Sequence, residues 1–254
     1  MTDSIGWVVL FVAATIAGAI NSVAGGGTLI SFPSLVAFGI PSIAANATNT
    51  AALWPGSLSS AIAYSKDTKI YRDLLLPLVI PSIIGGLLGA LALVVTPPQL
   101  FDEIVPFLVL FATLLFAFRD VITRFFKLND GDEGVTALGR VWGFLFQLLV
   151  AMYGGYFGAG IGILMLASLS VMGLRDIHRM NGLKTILATM INVIAFVFFA
   201  LKGLVVWNLA VLMAIGAIIG GYAGARLAKR VDQRYIRAFV IVVGLAVSVW
   251  LFVK

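Results

Sequence analysis

The stretch NSVAGGGTLISFPSLVAFGIPSIAANATNT, residues 21–50, decides how this chain is read. It interrupts an apolar run with three consecutive glycines, Gly25, Gly26 and Gly27, and resumes as a short apolar piece over about 28–38. It then passes Pro41 into a segment bearing Asn46, Asn49 and Thr50. The piece after the break holds about 11 residues, which at about 1.5 Å each reach only half-way across roughly 30 Å of hydrocarbon. The stretch GGYFGAGIGILMLASLSVMGLRDIHRMNGLKT at 154–185 repeats the plan, with a second short piece over about 162–172. Each interrupted segment, 5–38 and 139–172, either folds back as a re-entrant hairpin or crosses once with a loose extension.

Outward from these stretches the likeness continues. A shift of 135 residues lays Asn46 on Asn181, Thr50 on Thr185 and Asp73 on Asn208, and Gly85, Gly86 and Gly89 on Gly220, Gly221 and Gly224. A shift of 133 to 134 lays Gly25, Gly27 and Gly39 on Gly158, Gly160 and Gly173. Two related halves, each opening on a glycine break, form a plan used by membrane transporters. Six further stretches have the length of full crossings: 43–64, 74–95, 104–123, 181–201, 206–226 and 236–253. Composition agrees, with 61% hydrophobic and 11% charged residues where soluble domains carry about 25% charge. The mean hydropathy is +1.09. The opening MTDSIGWVVLFVAATIAGAI has no Lys or Arg before its apolar run, so it reads as a retained membrane segment and not a signal peptide.

Charge chooses between hairpin and crossing. With two hairpins, each half has three crossings and the second half is upside down relative to the first. One side then carries 15 of the 17 Lys and Arg residues, and the other keeps only Lys202 and Lys254. With two crossings the split is 9 against 8. Basic residues concentrate on the cytoplasmic side, so the inverted arrangement is expected, with both termini outside. Because no Lys or Arg precedes Lys66, the first hairpin rests on repeat symmetry. The fold expected is all-α and polytopic, with two inverted repeats, each of one Gly-broken re-entrant hairpin plus three transmembrane helices. The first repeat covers 1–126, a mobile cytoplasmic linker 127–138, and the second repeat 139–254.

The net charge of +6 sits in loops between spans, so nucleic acid is not an expected partner. The absence of cysteine rules out disulfides and thiolate metal sites. No acidic residue falls in the middle of a crossing, and no phosphate-loop or hydrolase motif is present. No enzyme activity, cofactor or metal is expected.

Polar residues do enter the crossings that follow each break. Asn46, Asn49, Thr50, Trp54 and Ser57 in the first half, and Asn181, Lys184, Thr185, Thr189 and Asn192 in the second, share the offsets 0, 3, 4, 8 and 11. Each set forms one helix face, and polar faces in hydrocarbon turn toward one another or toward water. The plain alternative is interhelical hydrogen bonding without a ligand. Lys184 stands where the first half has Asn49, and it either draws in an anion, snorkels to the cytoplasm or pairs with Asp176. Half-helices starting near Thr28 and Gly162 aim unpaired N–H groups and a positive dipole end at the centre, which suits a small oxyanion. Asn21, Ser22 and Thr28 at the first tip, and Tyr153 or Tyr156 at the second, are candidate donors. Gly85, Gly86 and Gly89, and Gly216, Gly220 and Gly224, read as helix-packing glycines, and such faces suit a homodimer.

The two stretches at 21–50 and 154–185, with GGLLGALA and GGYAGARLA late in each half, resemble the sulfite exporter TauE/SafE family over almost the whole chain. The resemblance implies a secondary transporter for a small sulfur-containing anion, of the sulfite, sulfonate, sulfoacetate or thiosulfate class, in a prokaryotic inner membrane, with export expected. It carries over to the glycine tips (Gly25, Gly26, Gly27, Gly158 and Gly160) and to the Asn and Thr positions after them. The expected substrate-binding set is Asn21, Gly25, Gly26, Gly27, Thr28, Asn46, Asn49, Thr50, Trp54, Gly158, Gly160, Asn181, Lys184 and Thr185, operating by alternating access in the lipid bilayer. A passive anion channel and a non-transporting membrane anchor are the alternatives.

Overall fold

A computed structural model of the chain describes residues 4–23, 25–64, 72–126, 137–174, 177–227 and 233–253. These residues form eleven helices: α1 (Ser4–Val23), α2 (Thr28–Ala37), α3 (Ser42–Tyr64), α4 (Arg72–Val95), α5 (Pro98–Ala117), α6 (Arg119–Phe126), α7 (Ala137–Tyr156), α8 (Ile161–Val171), α9 (Ile177–Leu201), α10 (Trp207–Leu227) and α11 (Gln233–Val253). The molecule is therefore all-helical among its described residues. Asp176 and residues 127–136 of the connector lie outside them, as do six of the fifteen bases counted above on one side.

Six helices are long and apolar enough to cross a membrane: Ser4–Ser22, Leu74–Val95, Pro98–Ala117, Met180–Leu201, Trp207–Arg226 and Tyr235–Val253. This set differs from the six expected in two ways. Ser4–Ser22 joins it, because α1 is an unbroken helix of 20 residues, about 30 Å long. The helix α3 has the length, 23 residues, but its Asn, Thr and Ser content holds it out of the apolar set. The third crossing also starts earlier than expected. Pro97 and Pro98 end the preceding turn and nucleate α5, Pro being at home in a first helical turn. Phe118 then separates α5 from the short α6.

Both glycine breaks fall where the sequence places them, between α1 and α2 and between α7 and α8. In each case the two flanking helices fold back on one another. A side chain at Gly6, near the start of α1, would strike the Phe38 ring at the end of α2, and one at Gly143 in α7 would strike Met172 at the end of α8. The Ser168 hydroxyl of α8 donates to the Gly143 carbonyl at 3.3 Å, fastening the second pair.

Packing is swapped between the halves. The helix α1 lies along α10, and α7 along α4. Gly216, Gly220 and Gly224 meet, in order, Phe11 and Thr15, Thr15 and Ala19, and Ala19 and Ser22, so α1 and α10 run parallel. Gly85 and Gly89 likewise meet Leu148 to Met152 and then Met152 to Tyr156. Without a Cβ, backbones approach closely enough to gain dispersion contact that lipid cannot supply. These glycine faces are filled within the chain, so they give no support to a homodimer. The outer surface is apolar instead, with Leu76, Ile80, Leu88, Val242, Leu245 and Val249 exposed, a surface that lipid solvates and water does not.

Candidate functional site

The two breaks meet. Gly25 has a φ of 85°, and a Cβ there would lie 3.3 Å from Gly162 Cα and 3.6 Å from Gly162 N. The glycine break before α2 and the first turn of α8 thus face each other across a short gap. Asn21 shapes the first tip, its Oδ1 accepting the Gly27 N–H at 2.8 Å. At the second tip the Tyr153 hydroxyl donates to the Ala159 carbonyl at 2.7 Å, and Gly160, with a φ of 76°, precedes α8.

Between the tips lies a cavity of about 50 Å³, enough for a few waters or one small ion. From the tips it is lined by Asn21, Gly25, Thr28, Gly158 and Gly162, among others. From α3 it takes Asn49, Thr50, Leu53 and Ser57, and from α9 Lys184, Thr185, Ala188 and Asn192. These four pairs stand at offsets 3, 4, 7 and 11 in both halves, so the same face of each helix is presented. Among the described residues no carboxylate lines the cavity. Lys184 is only 4% exposed, and among the described residues no carboxylate pairs with it.

Eight of the fourteen expected site residues line this cavity: Asn21, Gly25, Thr28, Asn49, Thr50, Gly158, Lys184 and Thr185. The other six stand beside it. Asn46 donates from Nδ2 to the Tyr156 carbonyl at 2.9 Å, tying α3 to the end of α7. Asn181 accepts the Thr185 hydroxyl on its backbone carbonyl at 2.8 Å. Trp54 stacks on Phe196 at 5.6 Å, and Phe196 meets Trp207 edge-on at 6.0 Å. Gly26 abuts the Phe116 ring, Gly27 the Ala17 carbonyl, and Gly160 Leu115 and Ala112, so these three glycines permit packing. The tyrosines considered as donors are engaged elsewhere, Tyr153 on Ala159 and Tyr156 on Thr96 at 3.3 Å. Ser22 bonds the Ala19 carbonyl at 2.7 Å.

Sequence reasoning passed over Leu53, Ala188 and Phe157, because an apolar wall sends no polar signal. It also treated Arg119 as a loop charge. The α5–α6 break instead sets Arg119 at the start of a separate short helix, next to Asp120. Burial, and then the Arg237 charge, hold the Arg119 guanidinium below its ordinary value, with Asp120 opposing.

Chemically, the cavity offers an ammonium, hydroxyls, amides and the N-terminal ends of two helices, a set of donors suited to an oxyanion. The buried Oδ1 of Asn49 is left without a partner, and its Nδ2 reaches Thr28 Oγ1 at 3.5 Å.

Comparisons with known proteins show the family to which the chain belongs. A family model described as sulfite exporter TauE/SafE matches residues 10–251. Probable membrane transporter protein ORF9 of Sinorhizobium sp is 32% identical over 249 residues, covering 94% of this chain and 90% of the relative. A probable membrane transporter protein of Haemophilus influenzae is 28% identical over 236 residues, covering 92% and 89%. The probable membrane transporter protein YfcA of Escherichia coli K12 is 29% identical over 245 residues, covering 94% and 87%. No solved structure matches the chain.

Proposed function

Because the chain belongs to the sulfite exporter TauE/SafE family, we propose that it is a secondary transporter that carries a small sulfur oxyanion across the cell membrane. The observation that carries this reading is the convergence of two helix N-termini and buried Lys184 on one cavity with no carboxylate among its described lining residues. A charged ammonium in a low-dielectric interior calls for an anion or water, and the two dipole ends favour the same sign.

The membrane arrangement is that of two inverted repeats. Its supports are the parallel pairs α1–α10 and α4–α7, which exchange under the repeat, and the two fold-back breaks whose tips meet. Thr28 reaches Asn49, seven residues into α3 and about 10 Å along its axis, so the first tip stops inside the membrane. The domain limits 1–126 and 139–254 follow from this arrangement. With the basic loops cytoplasmic, the Trp54–Phe196–Trp207 contacts close the outer side of the cavity. Rocking one half against the other would open that seal and shut the inner mouth. Export of anions from a bacterial cytoplasm into the periplasm is the direction proposed.

The test is counterflow in liposomes. Preloaded unlabelled sulfite or thiosulfate accelerates uptake of the labelled anion through a carrier and leaves an open pore unaffected. Purified protein should also gain thermal stability from sulfite or thiosulfate. Neither counterflow nor stabilisation by any oxyanion would remove the transport reading.

A further inference from the structure

Each glycine break joins two helix ends of opposite character. The starts of α2 and α8 present N–H donors, whereas the ends of α1 and α7 present carbonyls. At the end of α7 the Tyr153 carbonyl takes both the Phe157 N–H at 2.9 Å and the Gly158 N–H at 3.2 Å. Among the described residues no N–H of the following turn reaches the carbonyls of Gly154 and Gly155, and both glycines are buried. The Tyr156 carbonyl is taken by Asn46, whose Nδ2 donates to it at 2.9 Å. A carbonyl only accepts, so this bond fixes which way the Asn46 amide faces. Its other atom, Oδ1, is buried and has no hydrogen-bond partner, in a residue only 1% exposed. One turn along the same face of α3, the Oδ1 of Asn49 is in the same condition at 2% exposure.

Acceptors left over at the negative end of a helix need a positive partner. The repeat shows of what kind. Asn181, the equivalent of Asn46, also has a buried Oδ1 without a partner, and three residues on stands Lys184, where the first half has Asn49. The second half therefore brings its own monovalent cation to this face, while α3 contains no charged side chain. The described residues hold no cluster of His, Asp and Glu suited to a divalent or transition metal. Neutral amide and carbonyl oxygens suit an alkali cation instead.

We propose that the first half binds a free alkali cation, sodium or potassium, on Asn46 Oδ1 and the carbonyl end of α7, as the counterpart of the Lys184 ammonium in the second half. Asn49, one turn from Asn46, lines the oxyanion cavity, so the two sites adjoin. With only neutral oxygens around it, the cation is held weakly until an anion lies beside it. The oxyanion supplies that charge, and a doubly charged one such as thiosulfate is neutralised by the cation and Lys184 together. Cation and anion then move as one load. The inference rests on the transport function proposed above and adds its coupling ion.

The experiment measures binding and counterflow of labelled sulfite and thiosulfate, supplied as choline salts, in choline chloride and after its replacement by sodium or potassium chloride at constant ionic strength. The site predicts that one alkali ion lowers the half-saturating oxyanion concentration about tenfold, the effect of one added charge on a partly desolvated neighbour. The oxyanion tightens the cation by the same factor, since the coupling is reciprocal. Asn46→Asp, a charged ligand of the same shape, lowers the half-saturating cation concentration about tenfold. Asn46→Leu abolishes the cation dependence, and if that variant does not fold, Asn46→Asp alone decides. An effect of either ion supports the site. Potassium, whose gradient runs outward, also supports export, whereas sodium reverses that direction. Binding and counterflow equal in all three salts assign these oxygens to buried water and overturn the cation site alone. An unchanged cation dependence in Asn46→Asp overturns it as well. Absence of oxyanion binding in every salt overturns the functional reading and the cation site together.

Discussion

Lys184 is a cation two turns into a membrane helix whose repeat-equivalent is the neutral Asn49. Nothing in the packing of α9 requires it, since Leu would fill about the same volume without the cost of burying charge. Its place in the cavity gives that cost a purpose. Lys184→Ala is expected to lower anion flux at least about tenfold, the loss of one strong charge-assisted contact. Lys202→Ala, at an exposed site over Phe198, should stay within about twofold. Equal losses in a liposome flux assay would remove Lys184 from the site. Glycine supplies a second comparison. Gly25 and Gly203 both hold left-handed φ, 85° and 69°, so alanine at either costs about 1–2 kcal/mol. Only Gly25 faces the opposite tip, whereas a Cβ on Gly203 meets nothing within 4 Å. Both variants should melt a few degrees lower, and only Gly25→Ala should lose transport.

At the scale of elements, the breaks and the stripes were legible because their physics is local. Glycine clusters and half-length apolar pieces announce α2 and α8 within a residue of where they begin. A polar stripe at helical spacing announces α3 and α9. The division of labour along each stripe was not legible. Asn46 and Asn49 look alike in sequence, but the swapped packing turns one toward the Tyr156 carbonyl and the other into the cavity. Leu53 and Ala188 were invisible because polarity cannot mark an apolar wall. The early start of α5 and its break at Phe118, which sets Arg119 on the separate α6, were not legible either. One prediction belongs to this scale. Gly220→Leu and its repeat-equivalent Gly85→Leu press a side chain into the backbone of α1 and α7 respectively. Each should cost about 1–3 kcal/mol or more by overpacking, with matching falls in melting temperature. A large loss at one position with none at the other would break the equivalence of the two interfaces. Trp54→Ala, by contrast, should leave folding intact and add an anion leak that flux measurements detect.

On the arrangement proposed above, two antiparallel halves lend each other their first helices, and the functional features follow from that. The swap brings both tips to one level, where α2 and α8 point their amide ends at a common gap and neither half could make the cavity alone. Sequence charge predicted that arrangement from loops that mostly lie outside the described residues, and the interior contacts that favour it are the fold-back of α2 on α1 and of α8 on α7. The absence of native cysteine makes the arrangement directly testable. Single cysteines at Ser4, Ser42, Asp132 and Asp176 would be challenged in intact cells with a membrane-impermeant thiol reagent. The account predicts labelling of Ser4→Cys and Ser42→Cys from outside, and of Asp132→Cys and Asp176→Cys only after the membrane is opened. Labelling of Ser4→Cys and Ser42→Cys from opposite faces, or of Ser42→Cys and Asp176→Cys from the same face, would contradict it.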